Sequence, residues 1–226
     1  MQGSILPNKI VLWISEKDFK GKKLPVALEK QKARGLQICY CEDLLPYTKL
    51  VYSLQSYPDA CIITIDDDGI YENDVVERLV DAHINNPKAV CACRIHKMVL
   101  DKDNKLKSYM DWKWDAKSMP DNPKLMFPTG VGGVLYPPHC FSDEVFNKEV
   151  FLSICPYADD VWFYAMELLN ETEVIKAYNG ASYTSISSSE IDALSLKNTA
   201  KTDCRNDVYL DAVFAKYNLY QKLSNK

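Results

Sequence analysis

Apolar runs and helical patterns alternate through the first half of the chain, and this alternation restricts the possible folds more than any other feature of the sequence. Four short runs rich in β-forming residues, each bounded by polar or turn residues, predict strands. These runs lie at 9–15, 36–41, 60–65 and 89–93. Helical patterns fill the intervals at 24–34, 47–57 and 75–85. Because parallel strands need a crossover connection, the pattern predicts a single α/β domain with a mostly parallel central sheet flanked by helices.

The alternation breaks down after about residue 97. A glycine-rich passage there leads into another apolar run, and two helical patterns, a serine-rich loop and an amphipathic helix follow. These features lie at 129–136, 143–152, 159–169, 182–198 and 207–223. The last helix could pack on its own core or on a partner. The chain therefore divides into an α/β half, a second half, and a loop with a C-terminal helix, at 1–100, 101–180 and 181–226.

Charge and hydropathy exclude several classes of function. The net charge is −4 and the pI is about 5.5, with basic residues scattered along the chain, so no positive surface is available for nucleic acid. No apolar stretch approaches the ~20 residues of a membrane span, and residues 1–9 carry no signal-peptide core. The sequence predicts a cytoplasmic protein with no membrane span and no nucleic-acid partner.

The eight cysteines have two interpretations. Several, such as Cys61 and Cys91, lie within or beside apolar runs, as small buried thiols do in a reducing compartment. The pairs Cys39-x-Cys41 and Cys91-x-Cys93 could together form a zinc site, but a single-residue spacer is not the usual zinc-knuckle spacing. We therefore predict buried free thiols.

Three consecutive aspartates, Asp66, Asp67 and Asp68, follow the third apolar run directly. Carboxylates this close repel one another, so the cluster is costly unless a cation occupies it. Hard carboxylate oxygens suit Mg²⁺ or Mn²⁺, and ligands of open α/β sheets bind at the carboxyl ends of the strands. The alternative is a solvated acidic turn before the next helix. The position after a buried strand favours a metal site.

Two further acids, Asp159 and Asp160, begin a helix whose next turn is aromatic. Acids are favoured at this position by the exposed N–H groups and by the helix dipole, which is a purely structural explanation. A helix N-terminus at a cleft could also hold a carboxylate that takes a proton from a hydroxyl group. Residue types and spacing leave both interpretations open.

The passage Gly130-Val-Gly132-Gly133 precedes an apolar run instead of following one, so it is not the dinucleotide-binding fingerprint. It indicates either a close approach of the backbone to a ligand or a tight bend.

Aromatic and basic residues near these segments have similar double interpretations. Trp112 and Trp114 could stack on sugar rings, or two residues at this spacing could face the core from one side of a strand. Arg94, His96 and Lys97 follow the fourth predicted strand and could bind phosphate or be ordinary loop residues.

Taken together, these segments resemble bacterial glycosyltransferases that are related to the large inverting family 2 and have the GT-A fold. The resemblance covers roughly residues 5–175 and combines the acidic, glycine-rich and helix-initiating motifs. The matching segments are Lys9–Trp13, Cys41–Asp43, Tyr47–Lys49, Ile65–Asp68, Phe127–Pro138 and Ala158–Trp162.

The resemblance implies a donor side formed by the first half of the chain. Asp66 to Asp68 match the family's D-x-D motif, with Asp68 and Asp66 as ligands of Mn²⁺ or Mg²⁺ and with Asp66 and Asp67 on the nucleotide-sugar. Asp43 and Lys49 match positions where such enzymes meet the nucleotide. The metal would bridge the diphosphate and neutralise charge on the leaving group.

The resemblance also implies an acceptor and catalytic side within residues 101–180. Asp159 or Asp160 matches the acidic pair in which one carboxylate is the general base for the acceptor hydroxyl of a glycan or lipid-linked acceptor. The residues expected on the acceptor side are Trp112, Trp114, Gly132 and Gly133. A single in-line displacement with one base would invert the anomeric configuration. The resemblance also implies a role in surface polysaccharide synthesis.

One departure from the family pattern concerns the N-terminus. Family members usually begin with an additional strand and helix that help to seat the nucleotide base, whereas six residues precede the matching segment at Pro7. One alternative is therefore that the chain is a non-enzymatic remnant that serves as an interaction module. The other alternative is a nucleotidyl- or phosphotransferase that uses the same acidic cluster, although no phosphate-cradling glycine loop is visible near the first strand.

Overall fold

The computed structural model describes residues 3–118, 120, 122–186 and 204–223. Its first unit is a parallel pair of strands, β1 (Ile10–Ser15) and β2 (Leu36–Cys41), in register from Ile10 opposite Leu36 to Ser15 opposite Cys41. The connection contains the short helix α1 (Glu16–Phe19) and the helix α2 (Val26–Ala33). Gly35 follows α2 with a φ of 103°, a left-handed conformation that suits the glycine expected to end this helix.

A four-stranded sheet in the order β3-β8-β5-β9 forms the centre of the fold. Its strands are β3 (Ile62–Thr64), β5 (Val90–Ala92), β8 (Val134–Tyr136) and β9 (Val174–Lys176). Within this sheet, as far as the structure describes it, β5 and β9 are the one parallel pair, because β8 runs antiparallel between β3 and β5. A mixed α/β fold is therefore confirmed, but the mostly parallel central sheet is not what the structure shows.

The position of β8 explains this difference. All three of its residues are buried. A fully apolar strand is stabilised most at the centre of a sheet, where neighbouring strands and helices cover it. Gly133, with a φ of 91°, turns the chain into β8 from the glycine-rich passage. The second half of the chain thus contributes a strand to the sheet that the first half begins.

Two small antiparallel pairs extend the fold. The strand β4 (Gly69–Tyr71) pairs with β10 (Tyr183–Ser185), and β6 (Ile95–Lys97) pairs with β7 (Met126–Pro128). The β10 strand falls at the start of the segment predicted as a serine-rich loop, and 187–198 of that segment lies outside the described residues.

The remaining helices cover the sheets. They are α3 (Thr48–Ser56), α4 (Val75–Asn85), α5 (Lys148–Ile154), α6 (Asp159–Leu169) and α7 (Arg205–Tyr217). The predicted helix at 143–152 is interrupted at Asn147, whose side chain caps α5 by accepting a hydrogen bond from the backbone N–H of Val150. The predicted helix at 207–223 ends early, because Asn218 adopts a left-handed conformation.

The core is centred on α6. Every residue from Val161 to Leu168 is buried, and α7 packs against this helix within the same chain. Among the described residues, none of the helices has the length and apolar character needed to cross a membrane. None of the eight cysteines forms a disulfide bond, and six of them are buried as expected, whereas Cys39 is half-buried and Cys61 is exposed.

Candidate functional site

Lys49 joins two acidic segments that are far apart in the sequence. Its Nζ atom lies 2.7 Å from Oδ1 of Asp66 and 3.2 Å from Oδ2 of Asp159. Lys49 stands in the first turn of α3, a helix that packs against β1 and β3. The buried side chains of Leu50 and Val51 fix this helix on the core. The packing of α3 therefore presents Lys49 to the acidic loop that follows β3.

The charges around Lys49 stabilise its ammonium form. Burial lowers the pKa of Lys49, but the carboxylates of Asp159, Asp66 and Asp160 outweigh burial and raise this pKa above its ordinary value. Burial also raises the pKa of Asp159, and Lys49 opposes that rise. The Lys49–Asp159 contact is an ion pair by distance, but Oδ2 of Asp159 has no well-directed hydrogen bond. One cation therefore faces three carboxylates.

Asp159 and Asp160 begin α6 in different environments. Asp159 is buried against Lys49, whereas Asp160 is half-buried and accepts a 3.0 Å hydrogen bond at Oδ1 from the backbone N–H of Gly130. Burial and the neighbouring Asp159 carboxylate raise the pKa of Asp160. Of the two acids, Asp160 is the one with surface left for an external hydroxyl group, and its raised pKa suits proton transfer near neutral pH.

The glycine-rich passage lets these charged groups approach the backbone. A Cβ atom on Gly130 would lie 3.0 Å from Nζ of Lys49 and 3.1 Å from Oδ1 of Asp160. Sequence reasoning placed Gly132 and Gly133 in the site, but Gly130 is the glycine that contacts its charged side chains. Gly132 packs instead against Arg94, and Gly133 makes the turn into β8. The close-approach interpretation of the passage, which the sequence offered, was the signal for Gly130.

Tyr71 holds the acidic loop in place and was not found from the sequence. Its hydroxyl group accepts a 2.9 Å hydrogen bond from the backbone N–H of Asp66 and donates one of 2.8 Å to the carbonyl of Val131. It thereby connects the loop after β3 to the glycine-rich passage. A tyrosine in a short strand carries no sequence signal for this role.

Asp68 carries the feature that best fits a divalent cation. Its Oδ1 atom is buried without a hydrogen-bond partner among the described residues, and burial together with Asp66 raises its pKa. Asp67 is exposed. In the described ranges, no three His, Cys, Asp or Glu residues are grouped as a metal site. Two carboxylates nevertheless fit Mg²⁺ or Mn²⁺ when substrate phosphate and water supply the other ligands.

Asp43 lies in a different cavity from the Lys49 cluster. This cavity has a volume of about 650 Å³ and is formed where the chain leaves the carboxyl ends of β1 and β2. Its lining residues are Glu16, Lys17, Asp18, Lys20, Glu42 and Asp43. Oδ1 of Asp43 accepts a hydrogen bond from the backbone N–H of Leu45 and so stabilises the turn before α3. A ligand at the carboxyl ends of β1 and β2 would meet this cavity.

The two tryptophans have different environments. Trp112 is 5% exposed and packs against Phe127 in the core, with its indole N–H donated to the carbonyl of Lys107. Trp114 is 41% exposed and stacks on the ring of His96, with a centroid distance of 5.1 Å. The core interpretation therefore holds for Trp112, whereas Trp114 presents part of its ring to solvent.

The three basic residues that follow the fourth predicted strand also have different environments. His96 is 1% exposed, and burial followed by the charge of Arg94 lowers its pKa to about 3, which favours the neutral ring. Its Nδ1 atom accepts a hydrogen bond from the backbone N–H of Asp115. Lys97 belongs to β6, and Arg94 is half-buried beside Gly132.

A comparison of the sequence with models of known protein families matches none of them, and a comparison with curated proteins returns no match.

Proposed function

We propose that this chain is an inverting glycosyltransferase that moves a sugar from a nucleotide-diphosphate donor to a hydroxyl group of a glycan or lipid-linked acceptor, in the cytoplasm and in the service of surface polysaccharide synthesis. The observation that carries the proposal is the double ion pair of Lys49 with Asp66 and Asp159. It brings the acidic loop after β3 to the helix start that holds Asp160. A GT-A-type reaction needs a diphosphate site and a base in this proximity.

The donor side of the proposal lies at the carboxyl ends of the first three strands. The cavity at Asp43 is large enough for a nucleoside, since ligand pockets span ~300–1,000 Å³. Asp66 and Asp68 would hold Mn²⁺ or Mg²⁺, which when bound would neutralise charge on the diphosphate leaving group. The unpartnered Oδ1 atom of Asp68 supports this assignment.

Asp160 is the proposed general base. Its carboxylate takes the proton of the acceptor hydroxyl while the hydroxyl oxygen forms a bond to the anomeric carbon and the diphosphate leaves from the opposite face of the sugar. The hydrogen bond from Gly130 orients the carboxylate. Asp159 is paired with Lys49 and serves in positioning instead. A single displacement of this kind inverts the configuration at the anomeric carbon.

Calorimetry with UDP, GDP and CDP in the presence of Mn²⁺ tests the donor side. We expect one of these nucleotides to bind, and Asp68→Asn to weaken that binding by at least about tenfold through loss of a metal ligand. Asp81→Asn is the matched control, because Asp81 has the same charge at an exposed position of α4, outside the acidic loop. Absence of Mn²⁺-dependent binding of all three nucleotides to the wild-type chain would contradict the proposal.

A transfer assay tests the reaction itself. The nucleotide that binds is supplied as a set of nucleotide sugars with mixed glycan acceptors, and release of the nucleoside diphosphate is measured. Asp160→Asn is expected to reduce release by ~10²–10⁴-fold, the range of general-base contributions. Release of pyrophosphate from a nucleoside triphosphate and a sugar phosphate would favour nucleotidyl transfer instead.

A further inference from the structure

A second cavity lies beside Arg94, which packs against Gly132 of the glycine-rich passage. It has a volume of about 260 Å³, and its walls are Cys93, Arg94 and Asp115 on one side and residues of the 180–185 segment on the other. A volume just below the ~300–1,000 Å³ of pockets for whole ligands suits one charged group of a larger molecule. The cavity is therefore the size of a subsite.

Arg94 is the cation of this cavity, and no carboxylate among the described residues pairs with it. Within the described residues, its guanidinium group makes one long contact, 3.4 Å from Nη1 to Oγ1 of Thr129. A half-buried guanidinium group has five N–H donors, and none of the other described residues accepts a hydrogen bond from them. The geometry of the group suits a planar carboxylate or a phosphate.

Asp115, the acid in the lining, is paired with two lysines and not with Arg94. Nζ of Lys176 lies 2.9 Å from Oδ1, and Nζ of Lys117 lies 3.1 Å from Oδ2. The side chain of Lys176 is only 6% exposed, so this pair is fixed against the core. The negative charge of Asp115 is therefore shared with these lysines, and the positive charge of Arg94 remains without an ion pair among the described residues of the lining.

The far wall of the cavity is anchored at several points. The hydroxyl group of Ser182 donates a 2.8 Å hydrogen bond to the carbonyl of Gly132, and the carbonyl of Ser182 accepts one from the backbone N–H of Glu72. The guanidinium group of Arg78 packs over the ring of Tyr178 at 3.8 Å. The backbone N–H of Ile186 donates to the carbonyl of Asp68. This wall is part of the folded structure, so the cavity does not depend on a closing movement.

The cavity is connected directly to the proposed base. The carbonyl of Arg94 accepts a 3.1 Å hydrogen bond from the backbone N–H of Thr129, and the next residue, Gly130, donates to Asp160. Gly132 lies so close to Arg94 that a Cβ atom there would be 2.5 Å from the arginine Cβ. An acceptor in this cavity would thus be connected to Asp160 through the backbone of Arg94, Thr129 and Gly130.

We infer that the cavity beside Arg94 is an anion-binding subsite that holds a phosphate or carboxylate group of the acceptor, so that the acceptor is an anionic glycan or a phosphorylated sugar. The assignment to the acceptor rests on the proposed function, whereas the anion site rests on the cavity alone.

The test is a titration of ¹⁵N-labelled protein, followed through the side-chain Nε–Hε signal of Arg94, which is assigned by its absence in Arg94→Gln. The probes are glucose 6-phosphate, glucuronate and neutral methyl glucoside. We expect saturable shifts with one or both anions and none with the neutral sugar. The tighter of the two anions identifies phosphate or carboxylate as the group recognised.

Matched variants separate the subsite from general electrostatics. Arg94→Gln is expected to weaken anion binding by at least about tenfold, and Arg94→Lys, which keeps the charge, by less. Arg34→Gln removes the same charge from the exposed end of α2 and should leave binding unchanged. Equal affinity of wild type and Arg94→Gln for both anions, or no shift of the Arg94 signal, overturns the inference.

Titration of UDP, GDP and CDP with Mn²⁺ into the same proteins distinguishes this inference from the proposed function. We expect the nucleotide that binds the wild type to bind Arg94→Gln equally. Nucleotide binding without anion binding would remove the subsite and leave the proposed function standing. Anion binding at Arg94, with no Mn²⁺-dependent binding of UDP, GDP or CDP, would overturn the assignment to an acceptor.

Discussion

The backbone N–H of Gly130 donates a 3.0 Å hydrogen bond to Oδ1 of Asp160, and this contact joins the glycine-rich passage to the N-terminus of α6. Gly130 lies equally close to Nζ of Lys49, because a Cβ atom at this position would be 3.0 Å from it. The absence of a side chain at residue 130 therefore allows the Asp160 carboxyl group and the Lys49 ammonium group to approach the same backbone segment.

Substitution Gly130→Ala should separate these groups with a small effect on the fold. The added methyl group is tighter against Lys49 and Asp160 than ordinary contacts allow, but the end of a lysine side chain can move aside. We expect a loss of about 1 kcal/mol in the free energy of unfolding and a larger proportional loss of sugar transfer. Chemical denaturation and the transfer assay measure the two effects, and a variant with full activity would show that the contact has no role in the reaction.

Substitution Lys49→Met should destabilise the protein at neutral pH, because it leaves Asp66, Asp159 and Asp160 without their shared cation. Breaking a buried pair in this way costs about 3–5 kcal/mol, and partial exposure of Lys49 brings the expected loss to about 2–3 kcal/mol. The loss should shrink towards pH 4, since the unpaired carboxylates then take up protons.

The control for Lys49→Met is Lys148→Met. Lys148 also pairs with a carboxylate, at 2.7 Å from Glu42, but both side chains are more than half exposed. An exposed pair of this kind contributes about 0–1 kcal/mol. Equal losses of unfolding free energy in the two variants would show that the ion pairs of Lys49 stabilise the protein no more than an exposed pair does.

The sequence predicted the elements of the first half well, and it did not predict their assembly. The strand runs at 9–15 and 36–41 and the helix at 75–85 reappear within a residue of their expected bounds. These elements are visible because hydrophobic periodicity is local. The insertion of β8 between β3 and β5 depends on contacts between residues far apart in the chain, which periodicity does not report.

The residues of the candidate site were also predictable only where their signal is local in the sequence. Asp66 and Asp159 were singled out by their positions after a strand and at a helix start, and the structure brings both to Lys49. Tyr71 carries no comparable signal, because its role arises only when β4 meets the glycine-rich passage. The spacing of Trp112 and Trp114 suggested one face of a strand, but both lie outside the strands, so alternation does not govern their environments.

The tryptophan pair gives a prediction that separates stability from binding. Trp112→Ala should cost about 3–5 kcal/mol in the free energy of unfolding, because it removes a buried aromatic ring from the core. Trp114→Ala should cost less and should weaken binding of the acceptor sugar, since its ring is exposed. Denaturation curves and acceptor titrations of both variants provide the measurement. Unchanged acceptor affinity in Trp114→Ala would remove this residue from the acceptor side.

The protonation of Asp160 gives a prediction about the pH dependence of stability. Burial and Asp159 raise the pKa of Asp160 to about 7, above its value near 4 in the unfolded chain. The folded state therefore binds this proton more tightly, so its contribution to stability is complete below pH 4 and is lost as the pH rises through about 7. Asp160→Asn keeps a carbonyl oxygen for the hydrogen bond from Gly130 but cannot ionise.

We therefore expect Asp160→Asn to match wild type in stability at pH 4 and to exceed it at pH 8, by on the order of 1–2 kcal/mol. Glu167 is also buried with a raised pKa, but it is present in both proteins, so the difference between them isolates Asp160. Urea denaturation at closely spaced pH values measures this difference. A constant difference between pH 4 and pH 8 would show that the pKa of Asp160 is not raised in the folded protein.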